Sequence, residues 1–133
     1  DHRDLHSFPT RRSSDLTDFF HEIVAGYIRE CREEQVGRFH DRSSIIHALK
    51  YFDRYSVFIL KLVDAKLLYI IQDAMNDYMM KRIMPHYKIP VYELYFYGGA
   101  LLNVFIQWEK NGKREPAEMI ADQITSYCSL RSQ

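Results

Sequence analysis

Histidine is the side chain in this sequence with the widest choice of chemistry, since it can ligate a metal or act as a general base. His21 and Glu22 are adjacent, as in a metalloprotease helix, but Ala25 occupies the position where the second histidine would be needed. The spacing therefore does not form the two-histidine zinc motif. We interpret three further histidines as loop or partly buried polar residues, with pH sensing or ligand binding as the alternative. These are His40, His47 and His86.

Cys31 and Cys128 are the only two cysteines, and they show neither metal-ligand spacing nor a disulfide framework. Their number and spacing favour a reducing cytoplasm. Each falls on the apolar stripe of a predicted helix, so we expect a buried structural thiol rather than a nucleophile.

The remaining ionisable residues give no catalytic pattern. Glutamates 30, 33 and 34 alternate with Arg29 and Arg32, which is typical of a solvated helix face. The chain has no Gly-rich phosphate loop and no Ser-His-Asp set that the sequence can support. A small helical enzyme would need two or more converging ionisable groups. We therefore expect no catalytic residue, no metal and no cofactor.

Composition and charge are those of a neutral globular domain. The chain has 133 residues, of which 47% are hydrophobic, with 18 basic and 18 acidic side chains. A neutral chain lacks the general attraction to phosphates that nucleic-acid-binding domains show. The longest uncharged apolar run, Leu94–Leu102, is far shorter than the ~18 residues of a membrane-spanning helix. We expect a soluble, cytoplasmic protein without a membrane partner.

Residues 1–16 match, codon for codon, the in-frame translation of a short-read sequencing adapter. Such a segment has to be kept out of functional reasoning. We interpret residues 1–16 as an artefact rather than a domain, and we expect the biological domain to cover residues 17–133. On this interpretation the natural N-terminus is missing.

Helical spacing of apolar residues dominates residues 17–133 and predicts an all-α bundle of about six helices. The first helix is expected over 17–35, capped by Thr17 or Asp18. Ser43 or Ser44 is expected to cap the second and Asp53 the third. The fourth is expected to open at Asp64 and to stop at Pro85. The fifth is predicted over 90–111, and Pro116 is expected to start the last.

The fifth predicted helix is apolar around most of its circumference, which indicates burial on more than one side. Gly98 and Gly99 lie in its middle, where each costs ~1 kcal/mol relative to alanine. Close approach of a partner helix would explain this cost, and a kink or room for a bulky core neighbour is the alternative. We expect the last two helices of two subunits to form a four-helix dimer interface. The candidate interface residues are Leu94, Tyr97, Gly98, Leu101, Leu102, Phe105, Ala117, Ile120, Ala121, Ile124 and Cys128.

Tyrosine and methionine are frequent in the predicted helical interiors. A buried tyrosine needs a hydrogen-bond partner, and methionine provides an adaptable apolar surface. Together they suit a pocket for an amphipathic or aromatic effector between helices, with ordinary core packing as the alternative. The candidate pocket residues are Tyr55, Phe58, Met75, Tyr78, Met79 and Tyr95.

Three motifs near the C-terminus, Phe96–Leu102, Ile106–Gly112 and Glu115–Ala121, resemble the C-terminal signature of TetR-family transcriptional regulators of the Firmicutes type. Their shared pattern is an aromatic-rich helix with glycine, a Trp-x-x-x-Gly end, and a Pro-x-Glu start to the last helix. Leu49–Phe58 is similar to an upstream segment of the same family. The resemblance covers nearly all of residues 17–133.

The resemblance implies a homodimer whose C-terminal domain holds a small-molecule effector and controls operator DNA binding. The DNA would be bound by an N-terminal helix-turn-helix, which is expected just upstream of residue 17. No residue of this chain matches the recognition helix, so no DNA contact is assigned. The alternative is a stand-alone helical interaction module that never carried a DNA-binding head.

Overall fold

The computed structural model describes residues 13–34 and 37–132, with side chains up to residue 127. These residues form six α-helices and contain no strand, which confirms the predicted all-α class. The helices are α1 (Ser13–Glu33), α2 (Arg42–Asp53), α3 (Ser56–Asp64), α4 (Leu68–Tyr78), α5 (Val91–Lys110) and α6 (Ala117–Ser132). A π-helical segment, Met79–Ile83, and a 3-10 turn, Met84–His86, prolong α4.

The start of α1 differs from the prediction. The helix already includes Ser13, and the Thr17 hydroxyl donates to the Ser13 carbonyl 2.8 Å away, so Thr17 lies inside the helix rather than at its cap. The last residue of the adapter-like segment, Leu16, is 2% exposed and packs in the core. Residues 13–16 thus form the first turn of α1 and extend this helix beyond its predicted start.

Two further helix starts also differ. Asp41, not Ser43 or Ser44, is the N-cap residue of α2, and Tyr55, not Asp53, is that of α3. The Ser44 side chain instead donates to the Gly37 carbonyl 3.0 Å away. Neither Asp41 nor Tyr55 makes a side-chain capping hydrogen bond, so the side-chain capping preference that the prediction used does not set these helix starts.

The break between α3 and α4 lies at Lys66, so the predicted start at Asp64 is wrong. Lys66 has φ +63°, and two backbone bonds close the helix end around it: Leu67 N–H to Leu62 O and Lys66 N–H to Val63 O. This is a Schellman motif with lysine in the position that glycine usually takes. The same motif ends α5 at Gly112, with φ +84°, as the sequence predicted.

The core unites all six helices. Its most deeply buried large side chains are Ile45 and Leu49 of α2 and Ile59 and Leu62 of α3. Leu94 of α5 is buried in a second, smaller cluster with Met79 and Ile83. The connection between α5 and α6 is fixed by the Trp108 indole, whose Nε1 donates to the Glu115 carbonyl 2.8 Å away. Pro90 and Pro116 stand immediately before α5 and α6, one residue outside the helices that the sequence predicts them to start.

Candidate effector cavity

An apolar cavity of about 90 Å³ lies between α1, α2, α4 and α5. Phe20, Val24 and Tyr27 of α1 form one wall. The other walls come from α2, from α3, from the length of α4 with the start of the π-helical segment, and from the middle of α5. The lining is completed by Phe39, Ser44, Ile45, Ala48, Leu49, Phe52, Ile59, Ile71, Ala74, Met75, Tyr78, Met79, Tyr97, Leu101, Leu102 and Phe105.

Three of the six residues expected in the pocket, Met75, Tyr78 and Met79, do line it. The other three lie elsewhere. The Tyr55 ring packs 5.4 Å from the Tyr51 ring, and Phe58 is buried with its ring 4.8 Å from that of Phe19. Tyr95 is exposed and lies beside Tyr92. Tyr55, Phe58 and Tyr95 are therefore not among the residues that line this cavity.

The polar atoms around the cavity are neutral hydroxyl groups. Burial raises the pKa of Tyr78 to about 12 and shifts the pKa of Tyr27 further upward. Both phenols therefore stay protonated in the physiological range. The Tyr97 hydroxyl donates to the Phe39 carbonyl 3.5 Å away. A cavity with this lining favours an uncharged, mainly apolar occupant because it offers no counter-charge to an ion.

Most of the residues expected at the dimer interface lie inside the single chain. The seven that are buried there, out of a partner's reach in this conformation, are Leu94, Gly98, Leu102, Phe105, Ala117, Ile120 and Ala121. Tyr97, Leu101 and Ile124 are half-buried, and the first two line the cavity. The side chain of Cys128 lies outside the described residues.

Gly98 makes room for a core neighbour, which was the alternative explanation of the glycine pair. A Cβ atom on Gly98 would lie 3.1 Å from Met75 Cγ, so the glycine lets α5 pack closely on α4. Gly99 has no atom within 4 Å of the same position and faces outward. Only Gly99 is thus available for contact with another molecule.

The outer face of α5 carries an exposed apolar strip, which we call the aromatic stripe: Tyr92, Tyr95, Phe96 and Gly99. Their spacing of three and four residues places them on one side of the helix. Tyr92 is 80% exposed and Phe96 is 61% exposed. The sequence predicts a helix that is apolar on more than one side, but the side that it places at the dimer interface is the one buried within this chain.

A polar cluster between α1 and α2 lies beside the cavity wall. Glu30, expected on a solvated face, instead accepts from Arg54 at 2.6 Å and contacts His47 Nε2 at 2.8 Å. Together with Glu34 these side chains bring three potential metal-ligand atoms within 4.8 Å of one another. The Arg54 guanidinium already occupies the Glu30 oxygen and opposes a cation there, so the geometry favours a hydrogen-bond network over a metal site.

Comparisons with protein-family models, curated proteins and solved structures returned no match for this chain. None of the helices in the described part of the chain combines the length and the apolar character needed to cross a bilayer.

Proposed function

We propose that this chain is the effector-binding and dimerisation domain of a TetR-like transcriptional regulator. In this proposal a helix-turn-helix domain joined to the N-terminal end of α1 binds operator DNA. The observation that carries the proposal is the apolar cavity whose wall includes Phe20, Val24 and Tyr27 of α1. A ligand in the cavity would touch the one helix that leads toward the DNA-binding head.

The mechanism would be a population shift. A ligand that prefers one placement of α1 stabilises the conformations with that placement by the difference in its affinity for the two states. Because α1 contacts the cavity over two turns, a ligand can tilt or translate the helix as a unit. In a dimer this movement would change the separation of the two heads.

The size and lining of the cavity set the class of effector. An apolar cavity of about 150 Å³ accepts a benzene ring, so about 90 Å³ suits a small ring or short alkyl chain after modest side-chain movement. Met75 and Met79 can supply that movement because thioether side chains adapt readily. We therefore propose a small, neutral, largely hydrocarbon effector.

Dimerisation in this proposal uses the aromatic stripe rather than the buried side of α5. Exposed aromatic rings favour association, since removing them from water contributes about 25 cal/mol per Å². Gly99 allows the backbones of two helices to approach closely at the centre of the contact. A helix packed on its two-fold copy would bury the stripe on both subunits.

The effector proposal is tested with benzene and indole as probes on the full chain, which keeps Leu16 in the core. Ala48 lines the cavity, and Ala48→Leu should fill it and weaken probe binding at least tenfold. Ala25→Leu is the matched control, because Ala25 is exposed on α1. Equilibrium dialysis measures both affinities. Equal affinity in wild type and Ala48→Leu, or no saturable binding to wild type, would overturn the effector site.

The same exposed stripe also favours the stand-alone interaction module as a second candidate. Genomic DNA sequence upstream of the codon for Thr17 separates the two. An encoded helix-turn-helix supports the regulator, and an open reading frame that starts without one supports the module.

A further inference from the structure

Cys31, His47 and Glu30 form a connected chain of side chains on the outer side of the cavity wall. Cys31 Sγ lies 3.5 Å from His47 Nδ1, and His47 Nε2 lies 2.8 Å from Glu30 Oε1. Cys31 is half-buried, so its sulfur is neither sealed in the core nor fully in solvent. A nucleophile, a base and a group that orients the base are thus in hydrogen-bond sequence, which is the arrangement of an activated nucleophile.

Glu30 is held as a carboxylate and fixes the histidine. The hydrogen bond with His47, and then that with Arg54, lowers the pKa of Glu30. A carboxylate beside Nε2 favours the tautomer in which Nε2 carries the proton and donates it to Glu30. The other ring nitrogen, Nδ1, is then free to accept the Cys31 thiol proton. Arg54 keeps Glu30 in place from the far side at 2.6 Å.

Tyr27 completes the site and connects it to the cavity. Its ring stacks on the His47 ring, with centroids 5.3 Å apart, and fixes the plane of the imidazole. Its hydroxyl shares a hydrogen bond with Cys31 that lowers the pKa of the thiol, opposing the larger effect of burial. The phenol therefore stabilises the sulfur as negative charge develops on it.

We propose that Cys31 is a covalent modification site for soft carbon electrophiles, with His47 as its base and Glu30 as a positioning residue. The ligand class is α,β-unsaturated carbonyl compounds. In the reaction the Cys31 sulfur forms a bond to the β-carbon while the carbon–carbon π bond breaks. The thiol proton passes to His47 Nδ1 and then to the α-carbon, so the product is a neutral thioether and the histidine returns to its starting state.

The same surroundings keep the Cys31 thiol protonated and unreactive in the absence of an electrophile. Burial raises the pKa of Cys31, and the nearby carboxylates of Glu30 and Glu34 add to the rise. The last turn of α1 also disfavours an anion, because the helix dipole is negative at that end. Cys31 is therefore a neutral thiol that needs His47 at the moment of reaction. This proposal does not depend on an effector in the cavity or on a DNA-binding partner.

The test measures the alkylation rate of Cys31 by peptide mass spectrometry, with methyl vinyl ketone and iodoacetamide as probes. His47→Gln keeps a donor to Glu30 but removes the base, and we expect the Cys31 rate to fall at least ~tenfold. Lys50→Gln on the same helix is the matched control, because Lys50 pairs with Glu118 on the exposed surface. Its Cys31 rate should equal that of wild type.

A second measurement uses the wild-type chain alone, in case His47→Gln does not fold. With iodoacetamide the only proton transferred is that of the thiol, so base assistance makes the reaction slower in D₂O than in H₂O after correction for the thiol's own equilibrium isotope effect. An equal corrected rate in the two solvents would overturn the proposal. So would an unchanged Cys31 rate in a folded His47→Gln variant.

Discussion

Glu109 is a buried carboxyl group whose replacement by glutamine tests the electrostatics of the fold. It is 8% exposed, and its Oε2 has no hydrogen-bond partner within the described residues. Burial, and then the interaction with Asp53, raises the pKa of Glu109 from 4.5 to about 8. Asp53 is kept ionised by the hydrogen bond from Glu109 and by Lys113, whose Nζ lies 2.9 Å away. At pH 7 Glu109 is therefore a neutral donor.

The sign of the effect on stability follows from these pKa values. Glu109 ionises near pH 4.5 in the unfolded chain and near pH 8 in the folded one. Its contribution is complete below about pH 4.5 and is lost as the pH rises through 8. At 1.36 kcal/mol per pKa unit the loss is at most roughly 4–5 kcal/mol, and joint titration with Asp53 reduces our expectation to about 2–4 kcal/mol.

Glu109→Gln removes this ionisation while its amide can still donate to Asp53. The variant should be more stable than wild type by about 2–3 kcal/mol at pH 8.5 and similar to it or weaker at pH 5. Urea unfolding at pH 5, 7 and 8.5 measures the difference, with exposed Glu22→Gln as the control. A wild-type stability that does not fall relative to Glu109→Gln between pH 5 and pH 8.5 would refute the reasoning.

Two further predictions concern the surface of α5 and the glycines. Phe96→Asp should shift the full chain from dimer to monomer in light scattering at tens of micromolar, whereas Val57→Asp, at a site 62% exposed on α3, should leave the dimer intact. Dimers in both variants would exclude the aromatic stripe as the interface. Gly26→Ala should destabilise the fold by ~1–3 kcal/mol, because its Cβ would lie 2.5 Å from the Tyr51 hydroxyl, which donates to the Ile23 carbonyl. Gly99→Ala, with open space around the added methyl group, should stabilise the monomer by up to ~1 kcal/mol in urea unfolding. A Gly99→Ala variant that is less stable than Gly26→Ala would contradict this packing.

The sequence was sufficient to predict the helices because their apolar residues recur at clear helical spacing. In α1, for example, Phe20, Ile23 and Tyr27 are spaced as on one side of a helix, and all three are buried. The helix starts were harder to predict from the sequence, because several neighbouring polar residues have similar capping preferences. The left-handed conformation of Lys66 could not be read from the residue type, since lysine rarely adopts it.

The candidate site was only partly predictable, because periodicity shows which side of a helix faces inward but not which residues of other helices pack against that side. The predicted pocket residues Met75, Tyr78 and Met79 line the cavity, but Tyr27 and Phe39, which also line it, were not predicted there. A lone aromatic residue in a polar loop was the available signal for Phe39. The Glu30–His47 contact joins residues 17 positions apart and has no local signature.

The π-helical segment Met79–Ile83 bears on how this domain can change over evolution. A π turn takes in one residue more than an α turn without ending the helix, so it absorbs an insertion or a deletion locally. Met79 belongs both to this turn and to the cavity wall. A single-codon gain or loss here would therefore reshape the cavity while leaving the register of α1, α2 and α5 intact. Related chains can diversify what they accommodate by a change of length as well as by substitution.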